Sequence, residues 1–409
     1  MKISINNILY ALADALDYVE GEMLGATTYH SRRVAYIAIL MGRKLGLSDK
    51  ELMDLAASCV LHDNALTEYN QSELNRGIDI LKDSTAFSTK GHCVMGEQNV
   101  STLPFYQRAK GAILYHHEEA DGSGPFGLKT PDIPLYARII HIADITDVAF
   151  DLSDMNYNKY QRIINFVDGS NGIRFDDEMV RTFNDVCTYG QLCRMDNDYI
   201  VTLLHDALPI VPTEYTSEDM AGIAAMFAKI TDYKSSFTSM HSQGVADKAK
   251  ELSIYYGFDN ETVAKMYFAG ALHDVGKLII ENDILEKEDK LTDSEYVQMK
   301  NHAYASWEIL GRIDGIDDIR EWASLHHEKL DGSGYPFGKK ANELSEKDRI
   351  IACVDIYQAL TEERPYKHGM SHEKVIEIMN DEVAQGKLDA RIVEDIDKCF
   401  EPSAINQAS

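Results

Sequence analysis

Apolar residues recur every three to four positions along most of the chain. AGIAAMFAKI, ADKAKELSIYY, TVAKMYFAGALH and EKVIEIMNDEV all carry the pattern, which gathers apolar side chains on one face of an α-helix. No segment sustains the strict alternation of a half-buried strand. The DGSG strings at 121–124 and 331–334 read as turns, because Asp and Gly accept the backbone angles turns require. The expected fold class is all-α.

The pattern occurs twice. YHSRRVAYIAILMGRKLGLS from Tyr29 aligns with MHSQGVADKAKELSIYYGFD from Met240, and LHDNA with LHDVG. HHEEADGSGPFG from His116 aligns with HHEKLDGSGYPFG from His326, and ARIIHIADITD with DRIIACVDIYQ, all at an offset of 210 to 211 residues. Four matches in one order at one offset indicate a duplicated domain rather than a short solenoid repeat. Two prolines in LPIVPTEYTSEDM interrupt the helical pattern, and Ser217 followed by Glu and Asp resembles a helix start. We expect two tandem helical bundles, residues 1–212 and 213–409.

A length of 409 residues agrees with more than one core. The chain has no run of 18 apolar residues, so no membrane span or membrane partner is expected. MKISINNILYALADALDYVE carries acids within its apolar pattern and reads as a helix rather than a leader. Cysteines 59, 93, 187, 193, 353 and 399 form no CxxC pair, which fits reduced thiols and a cytoplasmic location. The net charge is −27: residues 1–212 hold 18 Lys and Arg against 29 acids, and 213–409 hold 22 against 38. That balance argues against a nucleic acid polymer as partner. A small anionic ligand stays open if metal ions supply local positive charge.

The second half offers His241, His273, Asp274, His302, His326, His327 and Asp355, with gaps of 32, 1, 28, 24, 1 and 28. The first half offers His30, His62, Asp63, His92, His116, His117 and Asp144, with gaps of 32, 1, 29, 24, 1 and 27. A lone histidine is usually an ordinary core or surface residue, but two sets in one register are candidate metal ligands. Five imidazoles and two carboxylates exceed one tetrahedral zinc. They suit two divalent metals bridged by an aspartate, with iron or manganese favoured by the mixed ligands and zinc still open. Paired metals of this kind serve phosphoester hydrolysis.

The LHDVGK, HHEKLDGSGYP, VDIYQAL and ERPYK strings resemble the HD-GYP family of cyclic dinucleotide phosphodiesterases over most of residues 215–400. The resemblance implies that His241, His273 and Asp355 hold one metal, that His302, His326 and His327 hold the other, and that Asp274 bridges them. It implies catalytic roles for Asp274 and Lys277, with Lys277 also meeting a phosphate. Tyr335 would lie in the loop over the substrate, and Arg364 and Lys367 would pair with the second phosphate and a guanine. The implied reaction opens cyclic di-GMP, or a related cyclic dinucleotide such as cyclic GMP-AMP, to the linear dinucleotide and on to GMP in some cases.

Two departures stand out. A glutamate that brings a third metal in some members is replaced by Phe237, and by Ala26 in the first half. IIENDILEKEDK lacks the proline often found after the HD motif. The first half keeps its ligand types, so a second metal site is expected there, yet it has Leu66 in place of Lys277. It also lacks the tyrosine of GYP, and Ser153 and Asn156 stand where Arg364 and Lys367 would. We read it as a divergent copy without the substrate clamp. His205-Asp206 in LLHDALP has no matching surroundings and is not counted as a site. Two other readings remain: a receptor or scaffold that binds nucleotide and metal with little turnover, and a phosphohydrolase for another nucleotide. GYP and RPYK count against the latter, and the oligomeric state is left open.

Overall fold

A computed structural model of the chain describes residues 8–11, 13, 16–17, 29–66, 69, 89–104, 110–211, 215–233, 241–285, 287, 289–363 and 368–401. Among these residues the secondary structure is helical, with two isolated bridges, Asn171 to Phe175 and Asp331 to Lys340, and no strand. The chain divides into two compact units, one of Ile8–Thr213 and one that contains Glu214–Ser409.

In the first unit, α1 (His30–Lys44) is followed by α2 (Asp49–Val60), α3 (Thr89–Asn99), α4 (Leu135–Phe150), α5 (Tyr157–Gly169), α6 (Asp177–Val186) and α7 (Ile200–Ala207). Helix α1 packs on α2, α4 and α7, and Val34, Ile37, Ile39 and Met41 are fully buried. It also buries Arg32 and Arg33. Burying charge is tolerable only when it is paired, and here Arg32 meets Asp17 at 3.0 Å and Arg33 meets Asp147 at 2.8 Å.

The second unit comprises α8 (Ser217–Tyr233), α9 (His241–Tyr255), α10 (Asn260–Leu272), α11 (Asp293–Leu310), α12 (Asp317–Ser324), α13 (Glu346–Thr361), α14 (His372–Ala384) and α15 (Ala390–Phe400). Helix α9 occupies the place of α1 and packs on α8, α10, α13 and α15. Matching signals set matching ends. Gly46 (φ +81°) and Gly257 (φ +69°) terminate α1 and α9 in the left-handed region that glycine adopts without a Cβ penalty. Ser48 with Glu51 caps α2, and Asp259 caps α10 by accepting the Thr262 N–H at 2.7 Å.

These ends place the candidate ligands. His30 and His241 open α1 and α9, while the His-Asp pairs follow directly on α2 and α10. His92 and His302 lie within α3 and α11, and Asp144 and Asp355 lie within α4 and α13.

Candidate metal centre

The seven candidates of the second unit converge. Asp274 turns Oδ1 toward Nε2 of His302 (3.5 Å) and His326 (3.8 Å), and Oδ2 toward Nε2 of His273 (3.1 Å) and His241 (3.8 Å). Asp355 Oδ1 lies 3.1 Å from His241 Nε2 and 3.7 Å from His273 Nε2, and its Oδ2 lies 3.9 Å from His327 Nδ1. His241, His273 and Asp355 form one group able to hold a cation, and His302, His326 and His327 form another.

The backbone aims the rings. Nδ1 of His273, His302 and His326 lies 2.7, 2.6 and 2.7 Å from the carbonyl three residues earlier: Gly270, Met299 and Ala323. A carbonyl only accepts, so Nδ1 donates, and in the neutral tautomer that this selects the Nε2 lone pair faces the interior. Nε2 of His302 and His326 therefore face each other at 3.3 Å as two acceptors. His273 Nε2 is buried with no hydrogen bond of acceptable geometry. Nitrogens that share one divalent cation stand about 3–3.5 Å apart. The donor set thus fits divalent metal.

The electrostatics agree. Burial holds the His326 imidazole well below its ordinary value and pulls His327 down to about 3, so both stay neutral donors. Burial opposes the charge on Asp274, but His273 and Lys277 outweigh it and hold the carboxyl well below the usual range. His241 differs. Burial works against its charge, yet hydrogen bonds to Asp355 and Glu362 push it up to about 9. Glu362 Oε2 lies 3.2 Å from His241 Nδ1 and fixes that ring from outside the ligand set.

A buried glutamate shapes the rim. Glu328 accepts backbone N–H groups from Phe337 (2.7 Å), Gly338 (3.1 Å) and Lys339 (2.9 Å), which ties the GYP loop to the histidine pair. A Cβ on Gly334 would lie 2.5 Å from the Glu328 Cα, so only glycine fits that crossing. The loop sets Tyr335 with its ring centroid 4.7 Å from that of His327. Lys277 forms an ion pair with Asp274.

The first unit repeats much of this geometry. Asp63 Oδ1 lies 3.3 Å from His92 Nε2 and 3.5 Å from His116 Nε2, and its Oδ2 lies 3.4 Å from His62 Nε2. His30 Nε2 lies 3.2 Å from Asp144 Oδ1, and His117 Nδ1 lies 4.0 Å from Asp144 Oδ2. His62 and His116 again direct Nδ1 to the carbonyls of Cys59 and Ile113, and their Nε2 atoms are buried without hydrogen bonds. Glu118 holds its loop through Phe126 and Leu128. The support of the first histidine differs: Asp147 takes His30 Nδ1 at 2.7 Å and is itself held by Arg33. Gly244 and Gln358 replace that Arg–Asp pair in the second unit, where a Cβ on Gly244 would lie 2.3 Å from the Gln358 amide. Cys93, beside His92, adds a thiol 3.6 Å from His92 Nε2.

Arg364, Lys367, Phe237 and Ala26 lie outside the described residues. Ser153 bonds Asp151 and Asn156 caps α5. His205 and Asp206 are exposed and belong to neither cluster. Sequence reasoning missed Glu118 and Glu328, although HHE recurs in both halves and marks them. It also missed Asp147 and Glu362, which occupy positions one helical turn apart in the two copies and so leave no shared signal.

The two helical units and their paired His/Asp clusters define an HD-type protein. The profile of the HD domain family matches residues 22–154 and 225–392, and the chain belongs to that family, within it to the HD-GYP type. It is 30% identical over 399 residues to the 3'3'-cGAMP-specific phosphodiesterase 1 of Vibrio cholerae, covering 95% of this chain and 90% of the relative. A cyclic di-GMP phosphodiesterase of Pseudomonas aeruginosa is 34% identical over 144 residues, 35% of each chain. The crystal structure of a cyclic GMP-AMP-specific phosphodiesterase from V. cholerae shares the fold, with a TM-score of 0.63, 24% identity and 98% of both chains covered. No helix among the described residues is long and apolar enough to cross a membrane.

Proposed function

We propose that the second unit hydrolyses a 3',5'-linked cyclic dinucleotide to its linear form, using His241, His273, Asp274, His302, His326, His327 and Asp355 as ligands of two divalent metals. The observation that carries this reading is the pair of facing lone pairs on His302 and His326, beside an aspartate whose two oxygens address two ligand groups. Iron or manganese suits the nitrogen and oxygen donors. Such ions would supply Lewis-acid polarisation of the phosphoryl oxygens and ready deprotonation of a water nucleophile. The chain's own residues do the rest. Backbone carbonyls take the Nδ1 hydrogens of His273, His302 and His326 and so aim their Nε2 atoms inward, and Glu362 orients His241. Lys277 brings a cation to the reacting phosphate, and Tyr335 walls one side of the site. Arg364 and Lys367 complete the substrate clamp.

The whole-chain likeness to a 3'3'-cGAMP-specific enzyme, against a match over about a third of the chain for the cyclic di-GMP enzyme, favours cyclic GMP-AMP over cyclic di-GMP. The test is purified full chain, loaded with manganese or iron, assayed by chromatography against 3'3'-cyclic GMP-AMP, cyclic di-GMP and cyclic di-AMP. Release of a linear dinucleotide from a guanine-containing substrate is expected. Tight binding with no turnover on any of the three would make the protein a receptor instead.

A further inference from the structure

Beside the GYP loop, α11 presents a second feature that the catalytic reading does not use. Tyr296 and Lys300 are one helical turn apart on the same face. The Lys300 ammonium lies 4.9 Å from the Tyr296 ring centroid and 5.9 Å from that of Tyr335. Tyr335 in turn packs its ring, tilted by 40°, beside that of His327 and stands 6.4 Å from the ring of His302. Tyr296 is 51% exposed, which leaves part of its ring open to a ligand. No carboxylate lies within ion-pair distance of Lys300 among the described residues, although the chain carries 67 acids. Lys277, by contrast, is already paired with Asp274.

The duplicated copy sharpens the point. Lys90 stands where Lys300 does, with its ammonium 4.7 Å over the ring of Phe126. The sequence there has Ala86 in place of Tyr296 and nothing in place of Tyr335. The lysine is common to both units, whereas the two tyrosines occur only in the unit that keeps Lys277. An aromatic pair that accompanies the substrate machinery is explained by the substrate better than by folding.

We infer that Tyr296 and Lys300 form a nucleobase seat, with the ring stacking on the base and the ammonium donating to the O6 and N7 edge of a guanine. Every base offers a face for stacking. Guanine presents two adjacent acceptors, while adenine presents one acceptor beside an amino donor. A lysine at this position therefore selects guanine. This inference rests on the cyclic dinucleotide reading and adds to it a determinant of base preference.

The experiment measures equilibrium binding and turnover in parallel, on manganese-loaded full chain, with cyclic di-GMP, 3'3'-cyclic GMP-AMP and cyclic di-AMP. Tyr296→Ala should weaken binding of the guanine dinucleotides and raise KM by roughly ten- to a hundredfold, with Tyr296→Phe close to wild type. Lys300→Met should narrow the preference for guanine over adenine dinucleotides. Hydrolysis of bis(p-nitrophenyl) phosphate, which has no base, should stay unchanged in all three variants, as should metal content. An unaltered KM and Kd in Tyr296→Ala, or an unaltered base preference in Lys300→Met, would overturn the seat while leaving the phosphodiesterase reading intact. Absence of cyclic dinucleotide binding by the wild type would overturn both, and an equal loss on the baseless substrate would show a structural role only.

Discussion

His302 and His326 point their Nε2 atoms at each other across 3.3 Å, with each Nδ1 hydrogen committed to a backbone carbonyl. Two lone pairs in that position repel unless a cation lies between them. Stripping the metal should therefore destabilise the fold as well as stop turnover. Metal bound at about a hundredfold above its Kd contributes about 2.7 kcal/mol. That corresponds to a fall of roughly 5–10 °C in Tm for a unit of this size. Calorimetry before and after chelation, with metal content measured alongside, checks it, and restoring manganese should restore the Tm. A metal-free protein with an unchanged Tm would count against the site.

Asp274 is the residue whose loss should reach both ligand groups, because its two oxygens address different histidines. In Asp274→Ala we expect the metal content of the second unit to collapse and hydrolysis to fall by about three orders of magnitude or more. Elemental analysis and single-substrate kinetics on one preparation suffice. Full metal content with near wild-type turnover would remove Asp274 from the centre of the mechanism.

Glu328 and Glu118 hold equivalent loops through charge-assisted hydrogen bonds from backbone N–H groups. Replacing either with Gln should cost about 1.5–3 kcal/mol of stability in urea denaturation. Their effects on activity should differ. Glu328→Gln releases the loop that carries Tyr335, so KM for the dinucleotide should rise while metal content holds. Glu118→Gln should leave turnover alone. Equal kinetic effects would mean that both loops serve the reaction.

Much of this was legible in the sequence because the chain contains its own comparison. The three- and four-residue periodicity is a direct imprint of helices with one buried face. The common register of the His and Asp positions singles them out, and within each unit the structure brings them together. What escaped notice acts through geometry that spacing does not encode. The carboxylate behind the first histidine is Asp147 in one unit and Glu362 in the other, and they are unaligned: the second unit has Gly244 and Gln358 where the first pairs Arg33 with Asp147. Lys300 carries no signal of its own in the sequence, since its significance comes from Tyr335, far along the chain.

The two units predict different consequences for the same lesion. His30, His62, Asp63, His92, His116, His117 and Asp144 approach one another in the first unit much as their counterparts do in the second. Yet the first unit has Leu66 where Lys277 supplies a cation, and no tyrosine in its loop. A metal site without those groups can bind a cation but has little with which to position a cyclic dinucleotide. We therefore expect the double variant His62→Ala/Asp63→Ala to lose metal per chain while turnover per second-unit site stays within about twofold of wild type, as for sites that act independently. Elemental analysis and active-site-normalised kinetics, with circular dichroism to confirm the fold, decide the matter. If turnover vanishes while the fold and the second unit's metals remain, the first unit takes part in catalysis and the division of labour drawn from Leu66 is wrong.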